Sequence, residues 1–129
     1  MAALSNYLEE KLLDHVFRQI SYTGPSAIYV GLFTDDPGDD NSGNELYGDG
    51  YERTQVKFEP GATVGTIANS ADVVFPPATA NWPTVTHVAL FDNKITGNQL
   101  VHAQLTNPVD IAANDSLLIS AGSLTIVLD

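Results

Sequence analysis

The sequence predicts a mainly β protein: an antiparallel β-sandwich or jelly-roll-like domain preceded by one N-terminal amphipathic α-helix. Three observations predict it. Apolar residues recur at helical spacing over residues 1–20 only. After Pro25 the pattern changes to short apolar runs rich in β-branched and aromatic residues. Clusters of Gly, Pro, Asn and Asp divide those runs at a spacing of about ten residues, as in sandwiches and barrels.

The helix comes first. Leu8, Leu12, Val16 and Ile20 repeat every four positions, and Leu13 and Phe17 widen the stripe. Glu9, Glu10, Lys11, Asp14 and Arg18 lie away from it. Asn6 with Glu9 three positions on has the form of a capping box. Gly24 and Pro25 end any continuation. The stripe is long for a chain this small. The helix either packs on its own sheet or docks on a neighbouring subunit.

The strands follow. Residues 27–34, Ala-Ile-Tyr-Val-Gly-Leu-Phe-Thr, read as a strand buried on both faces. Residues 35–50 have loop chemistry throughout. Tyr51 to Phe58 alternates, with Thr54, Val56 and Phe58 on one side. Pro60 to Gly65 is a turn, and Ser70 to Phe75 is a brief strand ended by Pro76-Pro77. Val85 to Phe91 and Gln99 to Leu105 form a hairpin, after which Asn107-Pro108 breaks the pattern. Val109 to Ile111, Leu117 to Ser120 and Leu124 to Leu128 close the domain.

Pairing Asn93 with Asn98 sets Ala89 opposite His102 and His87 opposite Gln104. One face then carries Thr86, Val88, Leu90, Val101, Ala103 and Leu105 and belongs to the core. The other carries His87, Ala89, Phe91, Leu100, His102 and Gln104 and is expected to meet solvent or another subunit, since a strand's two faces alternate. The expected contact residues are therefore Leu8, Leu12, Val16, Phe17 and Ile20 on the helix and His87, Phe91 and His102 on the hairpin.

The chain has 129 residues, 43% apolar and 16% charged, which suits one globular domain over 1–129, with the helix at 1–20 and the sandwich at 26–129. Sixteen acidic and five basic residues give a net charge of −11. That sign argues against nucleic acid and anionic membrane as partners. There is no cysteine, so disulfides and thiolate metal sites are excluded. No signal peptide and no apolar run of spanning length is evident in the sequence. This fits assembly in the cytoplasm.

Candidate chemistry is sparse. His87 and His102 share a hairpin face, but a metal needs further ligands at suitable spacing, and none is near. His15 sits beside the helix stripe. Asp35, Asp36, Asp39, Asp40, Glu45 and Asp49 crowd one loop, yet the calcium-loop ladder is missing. A solvated, mobile loop is the expected state. Neither a nucleophile elbow nor a phosphate loop is present. A mobile acidic loop is a poor place to tune paired carboxylates. Trp82, between Asn81 and Pro83, either stacks on a sugar or closes one end of the core, and the core reading is preferred. Tyr22, Tyr47 and Tyr51 flank loops as further contact candidates. No enzyme, metal or cofactor is expected.

Several segments, taken in order, resemble a family of small tailed-phage virion proteins often labelled tail fibre or structural protein. They are Leu4-Ser-Asn-Tyr-Leu-Glu-Glu-Lys-Leu-Leu-Asp-His15, Ile28-Tyr-Val-Gly-Leu-Phe-Thr-Asp-Asp-Pro37 and Gly50-Tyr-Glu-Arg-Thr-Gln-Val56. Asn69-Ser-Ala-Asp72, Phe75-Pro76, Trp82-Pro-Thr-Val-Thr-His-Val88, Leu90-Phe-Asp92 and Ala121-Gly-Ser-Leu-Thr-Ile126 complete the series. The resemblance implies a particle component without active site or cofactor, with other virion proteins and copies of itself as partners. With no fibrous repeat, the chain is no fibre shaft. A capsid decoration, a spike base or a tail-associated subunit fits its length. The alternative is a module that binds host-surface glycan.

Overall fold

The computed structural model describes residues 2–128. Met1, counted in the expected helix, and Asp129, at the end of the expected domain, lie outside the described residues. The elements run β1 (Ala3–Leu4), α1 (Asn6–Phe17), β2 (Ile28–Phe33), β3 (Thr54–Val56), β4 (Phe58–Pro60), β5 (Thr66–Asn69), β6 (Val73–Val74), β7 (Val85–Phe91), β8 (Gln99–Val109), β9 (Leu118–Ile119) and β10 (Thr125–Val127). Every pairing is antiparallel. The chain is mainly β with one N-terminal helix, as its pattern predicts.

Five strands form the largest sheet, in the order β1-β8-β7-β2-β3; β10-β5-β4 and β6-β9 form two smaller ones. Alternation on β2, β7 and β8 puts Val30, Leu32, Val88, Leu90 and Val101 on one face. That face packs with Val56, Val73, Phe75 and Trp82 in one core cluster, and half-buried Phe58, Ile119 and Ile126 from the smaller sheets close over it. Burying a Val, Leu or Phe side chain contributes about 1.5–3 kcal/mol, so this layer carries most of the stability.

The hairpin has the expected register: His87 faces Gln104 and Ala89 faces His102. The pairing shifts by one residue at Phe91, which faces Gln99. The turn explains the shift. Thr96 and Gly97 both adopt left-handed backbone, at φ 60° and 77°. A Cβ on Gly97 would lie 2.5 Å from Asp92 Oδ1, so that position requires glycine.

Other segments depart from expectation. The single strand expected at Tyr51–Phe58 is split, with Thr54–Val56 as β3 and Phe58 opening β4 in another sheet, and the one at Ser70–Phe75 covers only Val73–Val74. The turn expected from Pro60 begins one residue later, because Pro60 ends β4. β5 was not expected, because Thr-Ile-Ala-Asn lacks a clean alternation. Pro108 does not break the hairpin but lies inside β8. β1 covers β8 only at Val101 and His102, so Pro108 sits on an open edge and its missing N–H leaves no ladder bond unmade.

The second hairpin face is the main correction. It was expected to meet solvent or a subunit, but Phe33, Ala89 and Phe91 form a small core there, at 1%, 1% and 0% exposure. The acidic loop folds back over it. Leu46 N–H donates to Leu32 O, and Phe33 bridges to Glu45. Pro37 and Leu46 are buried, which a mobile loop would not allow.

Candidate functional site

The helix is capped by Ser5, not by Asn6. Ser5 Oγ accepts from Leu8 N–H at 3.2 Å and itself donates to Gln99 O. Asn6 is the first helical residue, and its N–H is taken by Asp39 O at 2.9 Å. These bonds tie the start of the helix to β8 and to the acidic loop. The other end turns away early. Gln19 is left-handed at φ 53°, and the N–H groups of Arg18 and Ile20 both donate to Asp14 O. The helix therefore stops at Phe17 instead of reaching residue 20.

No helix residue is fully buried. Tyr7 and Leu8 pack against the core and Leu12 is half-buried. Beyond them the stripe emerges into solvent: Leu13, Val16, Phe17 and Ile20 are 57%, 58%, 73% and 44% exposed. The predicted stripe thus splits into a seated N-terminal part and a bare C-terminal part. Of the predicted hairpin contacts, Phe91 is wholly enclosed and unavailable to a partner. His102 fastens the loop to the sheet, with Nε2 2.7 Å from Asp39 Oδ1 and Nδ1 3.6 Å from Asp36 Oδ1. His87 is half-buried, with Nδ1 2.8 Å from Thr86 Oγ1, and lies one diagonal step from His102.

The loop is largely exposed, as expected, but polar groups fix its course. Gln99 Nε2 donates to Gly38 O at 2.7 Å. The Asn44 backbone and side-chain amides donate to the two oxygens of Asp35, at 2.7 and 2.6 Å, and hold that carboxyl below its ordinary range. Glu45 takes a two-point grip from Arg53, whose Nε and Nη2 each lie 2.8 Å from its oxygens. No group of three or more metal-ligating side chains gathers among the described residues. No helix among them is long and apolar enough to cross a membrane.

Trp82 closes the core, 5% exposed, and its Nε1–H donates to Asp49 O at 2.9 Å. It cannot stack on a sugar. Tyr51 sits edge-on to it at 5.8 Å, donates to Glu45 Oε2 at 2.5 Å and accepts from Leu32 N–H at 3.0 Å. Burial, and then the Glu45 carboxylate, push the Tyr51 hydroxyl far above its ordinary 10.0. A folded-state value raised above the unfolded one means that the stabilisation is full below pH 10.0 and is lost as pH rises beyond it. Phenolate absorbance should therefore show Tyr51 ionising only together with alkaline unfolding; its titration in the folded protein near the ordinary value would refute this. Nothing local marks this cluster beyond a tyrosine near a loop, because the hydrogen-bond partners Glu45 and Leu32 lie six and nineteen positions away.

A family model described as Podophage GP4 fiber I protein gp80 matches residues 3–127. A search among curated proteins finds no match. With the match running over nearly its whole length, the chain belongs to this podophage fibre family and so to the structural proteins of the phage virion.

Proposed function

We propose that this chain is a non-catalytic virion subunit that docks on another virion protein of the capsid or tail through the outward face of α1. One observation carries the reading: a helix anchored at its N-terminus presents Leu13, Val16 and Phe17, with Ile20 just past its end, to solvent with only partial cover from the described residues. Exposed apolar groups that cluster in this way mark contact surfaces. The anchoring through Ser5 and Asn6 fixes the direction in which the face points, which lowers the ordering cost of docking. Several copies on one particle would let each contact be weak, because avidity multiplies them.

Two substitutions separate docking from folding. Phe17→Asp replaces a mostly exposed ring, so purified protein should keep wild-type stability within about 0.5 kcal/mol. Its incorporation into particles should nevertheless fall at least about tenfold, the equivalent of 1.4 kcal/mol at one contact. Leu12→Asp puts a charge where the helix meets the body and should destabilise the free protein as well. Mass spectrometry of purified virions reads both variants. Normal incorporation of Phe17→Asp, or absence of the wild-type chain from virions, would overturn the reading.

A further inference from the structure

A cavity of about 340 Å³ lies where the acidic loop, the start of α1 and the start of β8 meet. Asp39, Asp40, Asn41, Asn98 and Gln99 all line it, and no lysine or arginine does. Gln99 is the unusual member. It is 3% exposed and forms the floor beneath the exposed loop residues. Its Nε2 donates to Gly38 O at 2.7 Å, which settles which end of the amide is the oxygen. That oxygen, Oε1, is buried and is the one buried side-chain nitrogen or oxygen among the described residues without a hydrogen-bond partner. Buried acceptors are nearly always satisfied, and an exception calls for an ion or a water as its explanation.

Further oxygens stand beside it. Asp39 engages His102 through Oδ1 alone, and Asn98 engages Asp92 Oδ2 through its side-chain nitrogen, so each keeps one oxygen for a ligand. Asp40 and Asn41 add two exposed side chains at the rim. The start of α1 borders the cavity, but it is not an anion site. The N–H groups of Asn6, Leu8 and Glu9 go to Asp39 O, Ser5 Oγ and Ser5 O, and two carboxylates face any incoming anion.

The donor set selects the cation. Neither sulfur nor imidazole lines the cavity, which disfavours zinc and copper. Calcium takes about six to eight oxygens in flexible geometry, accepts carboxylates and amide carbonyls together, and completes its shell with water. Magnesium demands a near-ideal octahedron and sheds water reluctantly. We propose that this cavity binds a calcium ion, with Asp39 and Asp40 supplying the charge, Asn41 and Asn98 supplying rim oxygens, and Gln99 Oε1 as the buried ligand. Only two carboxylates take part, consistent with the lack of any cluster of three acidic or histidine ligands among the described residues. Affinity therefore belongs at the weak end for calcium sites, with a Kd of about 0.1–1 mM. The ion would join the acidic loop to the start of β8 beside the anchor of α1. The site does not rest on docking through α1, and that reading survives its failure.

The test is titration of the metal-free full chain with calcium chloride, and separately with magnesium chloride at matched ionic strength, followed by NMR. Calcium should give saturable amide shifts at residues 38–41 and 97–99. The side-chain amide signals of Gln99 should move with the same midpoint, a readout that needs no substitution in the buried floor. Magnesium should bind at least about tenfold more weakly. Asp40→Asn removes a charge from an exposed side chain, so it should leave the metal-free spectrum elsewhere unchanged and weaken calcium at least about tenfold. The proposal is overturned by the absence of saturable shifts up to about 20 mM calcium, well beyond the range of weak sites. Equal responses to the two metals would mean a diffuse ion atmosphere around an acidic loop, and would overturn it too. So would calcium binding that leaves the Gln99 side-chain signals still, or that is unaltered in Asp40→Asn.

Discussion

Arg53→Ala should lower the unfolding free energy by about 3 kcal/mol, near the bottom of the range for breaking a buried pair from one side. The bottom applies because Glu45 remains 24% exposed while Arg53 is only 10% exposed. The loss is not confined to one pair. The guanidinium grips both Glu45 oxygens, donates through Nη1 to Asn93 O and Thr96 O at 3.0 and 2.5 Å, and lies 3.5 Å from the centroid of the Phe91 ring. One side chain therefore joins the acidic loop, β3, the β7–β8 turn and the second core. Removing it leaves a carboxylate facing Tyr51 and uncovers Phe91. Urea denaturation should show the loss as a lower midpoint at constant slope. Arg53→Lys should recover less than half, since an ammonium cannot supply the planar two-point fork. A loss under about 1 kcal/mol for Arg53→Ala would show the cluster to be a surface ornament of the kind exposed pairs usually are.

The same cluster explains which parts of this fold were legible. The hairpin register could be read because both strands alternate cleanly, and a slip would turn every apolar residue outward. The core face followed from the register, and Trp82 followed from its position at a strand start. The opposite face was misjudged because its cover comes from residues 35–50. Their Gly, Asp and Asn content signals irregular backbone but says nothing of where that backbone lies. The fasteners are long-range single bonds: His102 to Asp39, Gln99 to Gly38, Arg53 to Thr96. No local period encodes them. The helix stripe was legible but not its division, because α1 is tied to the start of β8 only at its own N-terminus, which seats Leu8 and leaves Phe17 exposed.

The Asn69-Ser-Ala-Asp72 segment, one of those shared with the family, has a physical reason with a testable consequence. Asn69 is fully buried at the end of β5. Its Nδ2 donates to Ala71 O and Ser120 O at 2.9 and 3.0 Å, and its Oδ1 accepts from Leu124 N–H at 2.9 Å. Asp72 Oδ1 takes Ala121 N–H at 2.8 Å. Together they pin the turn between β9 and β10, and so the edge strand of the three-stranded sheet, beside the packing of Leu124 and Ile126 on the core. Asn69→Ala would leave Ala71 O and the Leu124 N–H without partners, while Ser120 O keeps the Ser123 N–H and hydroxyl; each unpaired group costs about 1–3 kcal/mol. Partial access of water after relaxation brings the expected loss to about 3 kcal/mol, read by urea denaturation. Asn69→Asp separates hydrogen bonding from volume. It keeps the shape and the bond from Leu124 but turns an acceptor toward Ala71 O and Ser120 O, so at neutral pH it should be at least as harmful as Ala. The buried carboxyl favours its neutral form, so its folded-state pKa lies above the unfolded one. The variant should then regain stability relative to wild type as pH falls through that raised value, because the protonated acid donates again. Loss of stability in Asn69→Ala with none in Asn69→Asp at neutral pH would mean that the space is filled and the hydrogen bonds are dispensable.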